Sequence, residues 1–345
     1  MRSSSFARRV RITLLSLALM GQGSSAAEDL VVPSFQREVL PVLTKFGCNQ
    51  GGCHGKESGQ NGFRLSLRGF APEWDHKSIT REVNGRRVDF AFPEKSLLVE
   101  KASGGVGHEG GTRFRKGSPA WQTLVNWIEG RTPGPVVDEP VPVALEVNPG
   151  ETTFQPGESR TLAVLAREAD GRATDVTWLA QFFSNDEALL RVTPEGKVTA
   201  RSHGEATVRV HFLNLVQVVR CTMPYPNEVA AELYTERRNV IDGPVFDKLR
   251  GLRLPPSDDC GDAAFVRRAF LDTIGVLPST EEVTAFIDDP SPKKRDVLAD
   301  ELLSRPEWLD YWTLQLCDVL QNRVERDHDV RGVKGVRASP TTGAG

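Results

Sequence analysis

The sequence predicts a multidomain chain: a small all-α domain, an all-β sandwich, and an all-α C-terminal domain. Three observations carry this. Apolar residues recur at helical spacing at both ends of residues 28–131, they alternate with period two across residues 143–223, and helical spacing returns over residues 227–330. Breaks rich in Pro and Gly separate the blocks, at residues 132–142 (Arg131-Thr132-Pro133-Gly134-Pro135, then Pro140 and Pro142) and at Pro224-Tyr225-Pro226. A length of 345 residues with 39% hydrophobic content supports two or three domains with real cores. The formal charge of −3 gives no basic surface for nucleic acid.

Residues 1–27 read as a signal peptide. Arg2, Arg8, Arg9 and Arg11 precede an apolar run from Ile12 to Met20, and Ser25-Ala26-Ala27 offers small residues for cleavage. The run is short for a bilayer span and no later stretch is apolar enough, so the mature chain is expected to be exported, to the periplasm or cell surface, without a transmembrane helix. The tail, residues 331–345, lacks hydrophobic periodicity and is expected to be disordered.

In the first block, Ser34 caps a helix carrying Phe35, Val39, Leu40, Val42 and Leu43. That helix leads into Gly47-Cys48-Asn49-Gln50-Gly51-Gly52-Cys53-His54-Gly55. Two cysteines followed at once by a histidine fasten a c-type haem: each thiol adds to a vinyl group, and the adjacent imidazole of His54 becomes the proximal axial ligand. The usual motif has two residues between the cysteines and this one has four, so Gly51 and Gly52 are expected to ease an outward bulge. A Cys48–Cys53 disulfide, a partial zinc site and chance spacing stay open as alternatives. A second helix starts at Ser118, and its stripe of Trp121, Leu124, Val125, Trp127 and Ile128 is expected to pack on the first helix and close a pocket over the porphyrin.

The sixth iron position is not supplied by methionine within this block, because the methionines are Met1, Met20 and Met223. His108, in Gly104-Gly105-Val106-Gly107-His108-Glu109-Gly110-Gly111, is the preferred distal ligand, His76 the weaker candidate, and an open site the third alternative. Arg113 and Arg115 follow closely and would either pair with haem propionates or remain solvated.

This block resembles the cytochrome c-like domain of large secreted planctomycete proteins through Gly47 to Gly69, including Gly59-Gln60-Asn61-Gly62-Phe63 and Leu65-Ser66-Leu67-Arg68-Gly69, and again at His108-Glu109-Gly110-Gly111.

In the second block, Val143, Leu145 and Val147, then Leu162, Val164, Val176, Leu190, Val192, Val198, Ala206, Val208, Val210 and Phe212, mark short strands joined at Asp170-Gly171 and Pro194-Glu195-Gly196. Leu145 to Gly150, Pro156-Gly157-Glu158, Asp175-Val176-Thr177 and Gly196 to Ala200 resemble the bacterial immunoglobulin-like family, group 2. The resemblance implies a spacer or adhesive module, with His203 and His211 as ordinary strand or turn residues.

In the third block, Ser279 with Glu282 and Ser304 with Glu307 read as capping boxes. Leu254 to Ser257, Phe265 to Asp272, Ile274 to Pro278 and Arg305 to Trp308 resemble domain of unknown function 1549, which accompanies the haem domain in the same secreted proteins and supplies no reaction. Arg267, Arg268, Asp272 and Asp318 are expected to be solvated charges rather than an acid-base cluster. Chains of that family ordinarily run further, so this one is expected to be truncated.

Together these readings predict an exported protein carrying covalent haem c, transferring electrons to an unnamed redox partner, with the immunoglobulin-like block available to a cell-surface partner. Whether the chain is also an enzyme stays open. The alternatives are an adhesion or interaction protein with a structural disulfide, and a peroxidase-like haem enzyme.

Overall fold

The computed structural model describes residues 31–322, so the expected signal peptide and tail lie outside the described residues. The chain combines helices with several β-sheets and divides into two compact units, the first ending at Leu254 and the second starting at Pro255. Among the described residues, no helix is long and apolar enough to cross a membrane.

The first unit opens with a single π-helical turn, Phe35–Val39, that continues as α1, Leu40–Lys45. Ser34 caps it as expected, its Oγ accepting the Arg37 N–H at 3.1 Å. The π turn has a physical cause in Pro41, which lacks an N–H and whose ring would collide with the carbonyl four residues earlier. Helices α2 (Pro72–Thr80), α3 (Leu97–Ser103) and α4 (Pro119–Glu129) complete this part. Ser118 caps α4 by accepting from the Trp121 N–H at 3.4 Å, and Phe35 meets Trp127 with ring centres 5.4 Å apart.

The strands that follow are β1 Ala144–Asn148, β2 Thr152–Thr153, β3 Ser159–Thr161, β4 Ala163–Arg167, β5 Ala173–Asp175, β6 Gln181–Ser184, β7 Leu190–Val192, β8 Lys197–Ala200, β9 Gly204–Phe212 and β10 Leu215–Met223. Among the described residues they form three sheets, ordered β1-β4-β5, β2-β10-β9-β6 and β3-β8-β7. All pairings are antiparallel except β2 with β10. Alternation sorts the faces: Ala206, Val208, Val210 and Phe212 of β9 point inward, while Arg209 is exposed. Both expected hairpins form, the β4–β5 turn at Asp170-Gly171 and the β7–β8 turn at Pro194-Glu195-Gly196.

One buried cluster runs from Phe35 and Trp127 through to Val208 and Met223, so helices and sheets share a core. Polar ties reinforce the junction. Lys45 Nζ donates to the Ala180 and Pro194 carbonyls at 2.6 and 2.8 Å, Gln181 Nε2 donates to the Thr44 carbonyl at 3.0 Å, and Arg37 pairs with buried Glu168. The Pro/Gly stretch is likewise pinned: Trp127 Nε1 donates to the Pro133 carbonyl at 2.9 Å and the Val136 N–H to Gln36 Oε1 at 3.1 Å. Composition suggested segments in series joined by a linker, whereas the sheet block is fastened directly to the helix that leads into the cysteine motif.

α5 (Asp242–Leu252) also belongs to the first unit, where Lys248 pairs with Glu205 at 3.0 Å. The second unit contains α6 (Asp262–Ile274), α7 (Thr280–Asp288), α8 (Lys294–Ser304) and α9 (Pro306–Val319), around Val266, Phe270, Ile274, Phe286, Leu298 and Leu302. The Ser279–Glu282 capping box forms in both directions. The one expected at Ser304 does not: Ser304 Oγ turns back to the Glu301 carbonyl at 2.8 Å, and Arg305 stands before Pro306 as the cap. Proline at the first helical position already dispenses with one N–H that a cap would serve.

Candidate functional site

The Cys48–His54 loop folds by its own backbone. The Cys48 N–H closes on the Leu43 carbonyl at 2.8 Å, the His54 N–H on the Cys48 carbonyl at 3.0 Å, and the Leu65 N–H on the His54 carbonyl at 2.8 Å. Gly51 and Gly52 have open space where a Cβ would lie and need no left-handed backbone, so they do not make the bulge cheap as expected. The constraint falls instead on Gly55, where a Cβ would stand 2.2 Å from the Asn49 carbonyl oxygen.

This loop forms one wall of a 510 Å³ cavity, with Leu43, Phe63, Leu98 and Ala102 supplying apolar surface. Cys48, Cys53, His54 and His108 all line it. Cys48 and Cys53 are free thiols, and burial pushes the Cys48 thiol up to about 12, against the lowering effect of Arg113. Arg113 Nη2 lies 3.2 Å from Cys53 Sγ, while its Nε is buried without a partner among the described residues.

The two histidines are held alike. His54 Nδ1 lies 3.0 Å from the Phe63 carbonyl and His108 Nδ1 lies 3.1 Å from the Gly111 carbonyl. A carbonyl only accepts, so Nδ1 carries a proton on each ring, and in the neutral imidazole the lone pair is then on Nε2. The rings are 6.3 Å apart between centres and 7° from parallel. Desolvation lowers the His54 pKa, which favours the neutral, ligating form. Gly110 leaves room for this ring, since a Cβ there would stand 2.8 Å from His108 Cε1 and push the side chain aside.

His76 lies elsewhere. Its Nε2 is 2.9 Å from the Thr132 carbonyl and its ring packs edge-on against Phe35 and Trp127, so it does not line the cavity. Helix α4 does not line it either: α4 supports the first helix from behind, and the opposite wall comes from α3 and the turn before Arg87. Arg115 is exposed and off the cavity. Sequence reasoning missed Arg86, Arg87 and Lys101, which do line it. Lys101 alone left a signal, its helical spacing on α3 with Leu97, Leu98 and Ala102, while Arg86 and Arg87 left none.

Elsewhere, Cys221 is buried, whereas Cys260 and Cys317 are half-buried. His203 sits in the turn before β9, with Nδ1 2.7 Å from the Pro224 carbonyl, and His211 lies on β9 beside Phe183. Arg267, Arg268, Asp272 and Asp318 are exposed. Among the described residues, no three His, Cys, Asp or Glu side chains gather in an arrangement able to hold a metal ion by themselves.

The helices from α5 onward carry a match to a known family. Residues 240–338 match PSCyt2, a protein of unknown function (DUF1549). The DUF1549 match covers less than a third of the chain, begins within the first unit and leaves the cavity outside it. No curated protein matches.

Proposed function

We propose that the cavity holds a c-type haem and that the chain is an exported electron carrier. The observation that carries this is the pair of near-parallel imidazoles, both tethered through Nδ1, beside two free thiols. Tethering of the far ring nitrogen is what fixes a ligating histidine and raises its basicity. Cys48 and Cys53 would each add S–H across a vinyl double bond, sulfur to one carbon and hydrogen to the other, consuming no oxidant. The bound haem supplies a one-electron couple. His54 and His108 would hold its iron, and Leu43, Phe63, Leu98 and Ala102 would exclude water from it.

In this reading the helical part around the cavity is cytochrome c-like and the strand block immunoglobulin-like, as in secreted planctomycete proteins. Two histidine ligands favour electron transfer over a peroxidase-like enzyme, because catalysis on small ligands needs a vacant position. The strand block acts as a rigid support, since Lys45 and Gln181 lock it to the motif helix.

The test is the absorbance of the denatured, reduced protein after expression in a host able to mature c-type cytochromes. A haem spectrum that stays with the unfolded chain supports the proposal. A colourless chain, or haem that leaves on denaturation, contradicts covalent attachment.

A further inference from the structure

The cavity has a charge character that its motif residues do not explain. Arg86, Arg87, Lys101 and Arg113 line it, against the single acid Glu109, in a chain whose net charge is −3. Two of these cations are already engaged. Buried Arg87 donates to the Ser78 carbonyl at 2.7 Å and stacks over Phe63 at 4.3 Å, which places it as a structural strut behind the His54 contact. Arg113 contacts Cys53 Sγ and so belongs to the thiol side of the cavity. The side chains of exposed Arg86 and half-buried Lys101 have no hydrogen-bond or ion-pair partner among the described residues.

The placement of Arg86 is held by an uncommon backbone. Val83 and Asn84 both adopt left-handed conformations, φ 52° and 56°, followed by Gly85 at φ 66°. A β-branched residue there is strained and persists only when its surroundings enforce it. The turn returns the chain so that Arg86 and Arg87 both meet the cavity. Lys101 comes from α3, on the same helical face as Leu97 and Leu98. Neither unpaired cation comes from the cysteine loop.

A flat, apolar ligand with two carboxylates on one edge fits this distribution: apolar walls, thiols on one element, unpaired cations on two others. We propose that Arg86 and Lys101 bind the two carboxylates of the tetrapyrrole and set its in-plane orientation. They are positioning residues for the cofactor, and the inference rests on the haem reading above.

The test uses the full-length chain made without cytochrome maturation, titrated with ferric haem and with its dimethyl ester and followed by the Soret band. Parent protein is expected to bind haem about 10-fold more tightly than the ester. In the double variant Arg86→Gln/Lys101→Gln, haem affinity should fall about 10-fold to match the ester, which should itself be unchanged. Arg115→Gln, an exposed change off the cavity, should behave as the parent. Circular dichroism confirms that the variants fold alike, and Arg86→Lys should recover most of the preference. A double variant that still prefers haem over its ester overturns this inference while leaving the haem reading intact. Binding of neither tetrapyrrole by the parent also overturns this inference, while the haem reading stands or falls by the spectrum of the denatured, matured chain.

Discussion

His54 and His108, 54 positions apart in the chain, stand with ring centres 6.3 Å apart and planes 7° from parallel. Each gives its Nδ1 proton to a backbone carbonyl, so each keeps the same nitrogen free. If both rings bind iron as proposed, the matured protein should show no spectral change on adding carbon monoxide to the reduced form. His108→Ala should open that position and bind carbon monoxide. If the parent binds it as readily as the variant, His108 is not a ligand.

His76 serves as the internal control. It packs between Phe35 and Trp127 and bonds the Thr132 carbonyl, which fastens α2 to the end of α4. His76→Ala should leave the haem spectrum unchanged while lowering stability by about 1–3 kcal/mol in urea titration. A changed spectrum with unchanged stability would reverse these roles.

Lys45 gives a pH signature to the junction between helices and sheets. Half-burial lowers its pKa to about 8 from 10.5, against the raising effect of Glu195. Between those two values the unfolded chain holds a proton that the folded chain has released, so this residue's contribution to stability rises with pH across that window. Relative to Lys45→Met, the parent should gain roughly 1–2 kcal/mol between pH 7.5 and about pH 10, a figure reduced for solvent screening. A constant difference across that range would show that Lys45 keeps an ordinary amine pKa.

Gly55 and Gly51 separate two accounts of the long cysteine spacing. Gly55→Ala places a Cβ 2.2 Å from the Asn49 carbonyl oxygen and should cost more than about 2 kcal/mol, whereas Gly51→Ala meets nothing and should stay within about 0.5 kcal/mol. Thermal melts of the two apoproteins decide it, and equal melting points would refute the placement of the constraint.

In the second unit, Ser279→Ala removes a reciprocal cap and should cost about 1 kcal/mol, while Ser304→Ala should cost less than about 0.5 kcal/mol. Denaturant titration of the two variants checks the difference, and the reverse order would contradict the helix starts.

Local chemistry was legible where it acts within a few residues. Ser34, Ser118 and Ser279 marked helix starts because a side-chain oxygen must meet N–H groups two or three positions on, and β9 alternated because strand residues point in turn to core and solvent. The cysteine motif and His108 were readable by residue type, and the structure brings them to one cavity. The opposite wall was not readable. Arg86 and Arg87 reach the cavity through a left-handed turn at Val83-Asn84, which leaves no spacing rule in the chain, and Lys101 through the packing of α3, where its helical spacing with Leu97 and Leu98 does not say what that face meets. The Pro/Gly stretch read as a linker by composition alone, because the buried Thr132 and the Trp127 bond to Pro133 depend on partners distant from the prolines themselves.

The most direct measurement is the intact mass of the secreted, matured chain after thiol alkylation under denaturing conditions. The account predicts one haem added to the polypeptide, with alkylation at the remaining cysteines and none at Cys48 or Cys53. A chain of bare polypeptide mass, with Cys48 and Cys53 both alkylated or joined to each other, would contradict it.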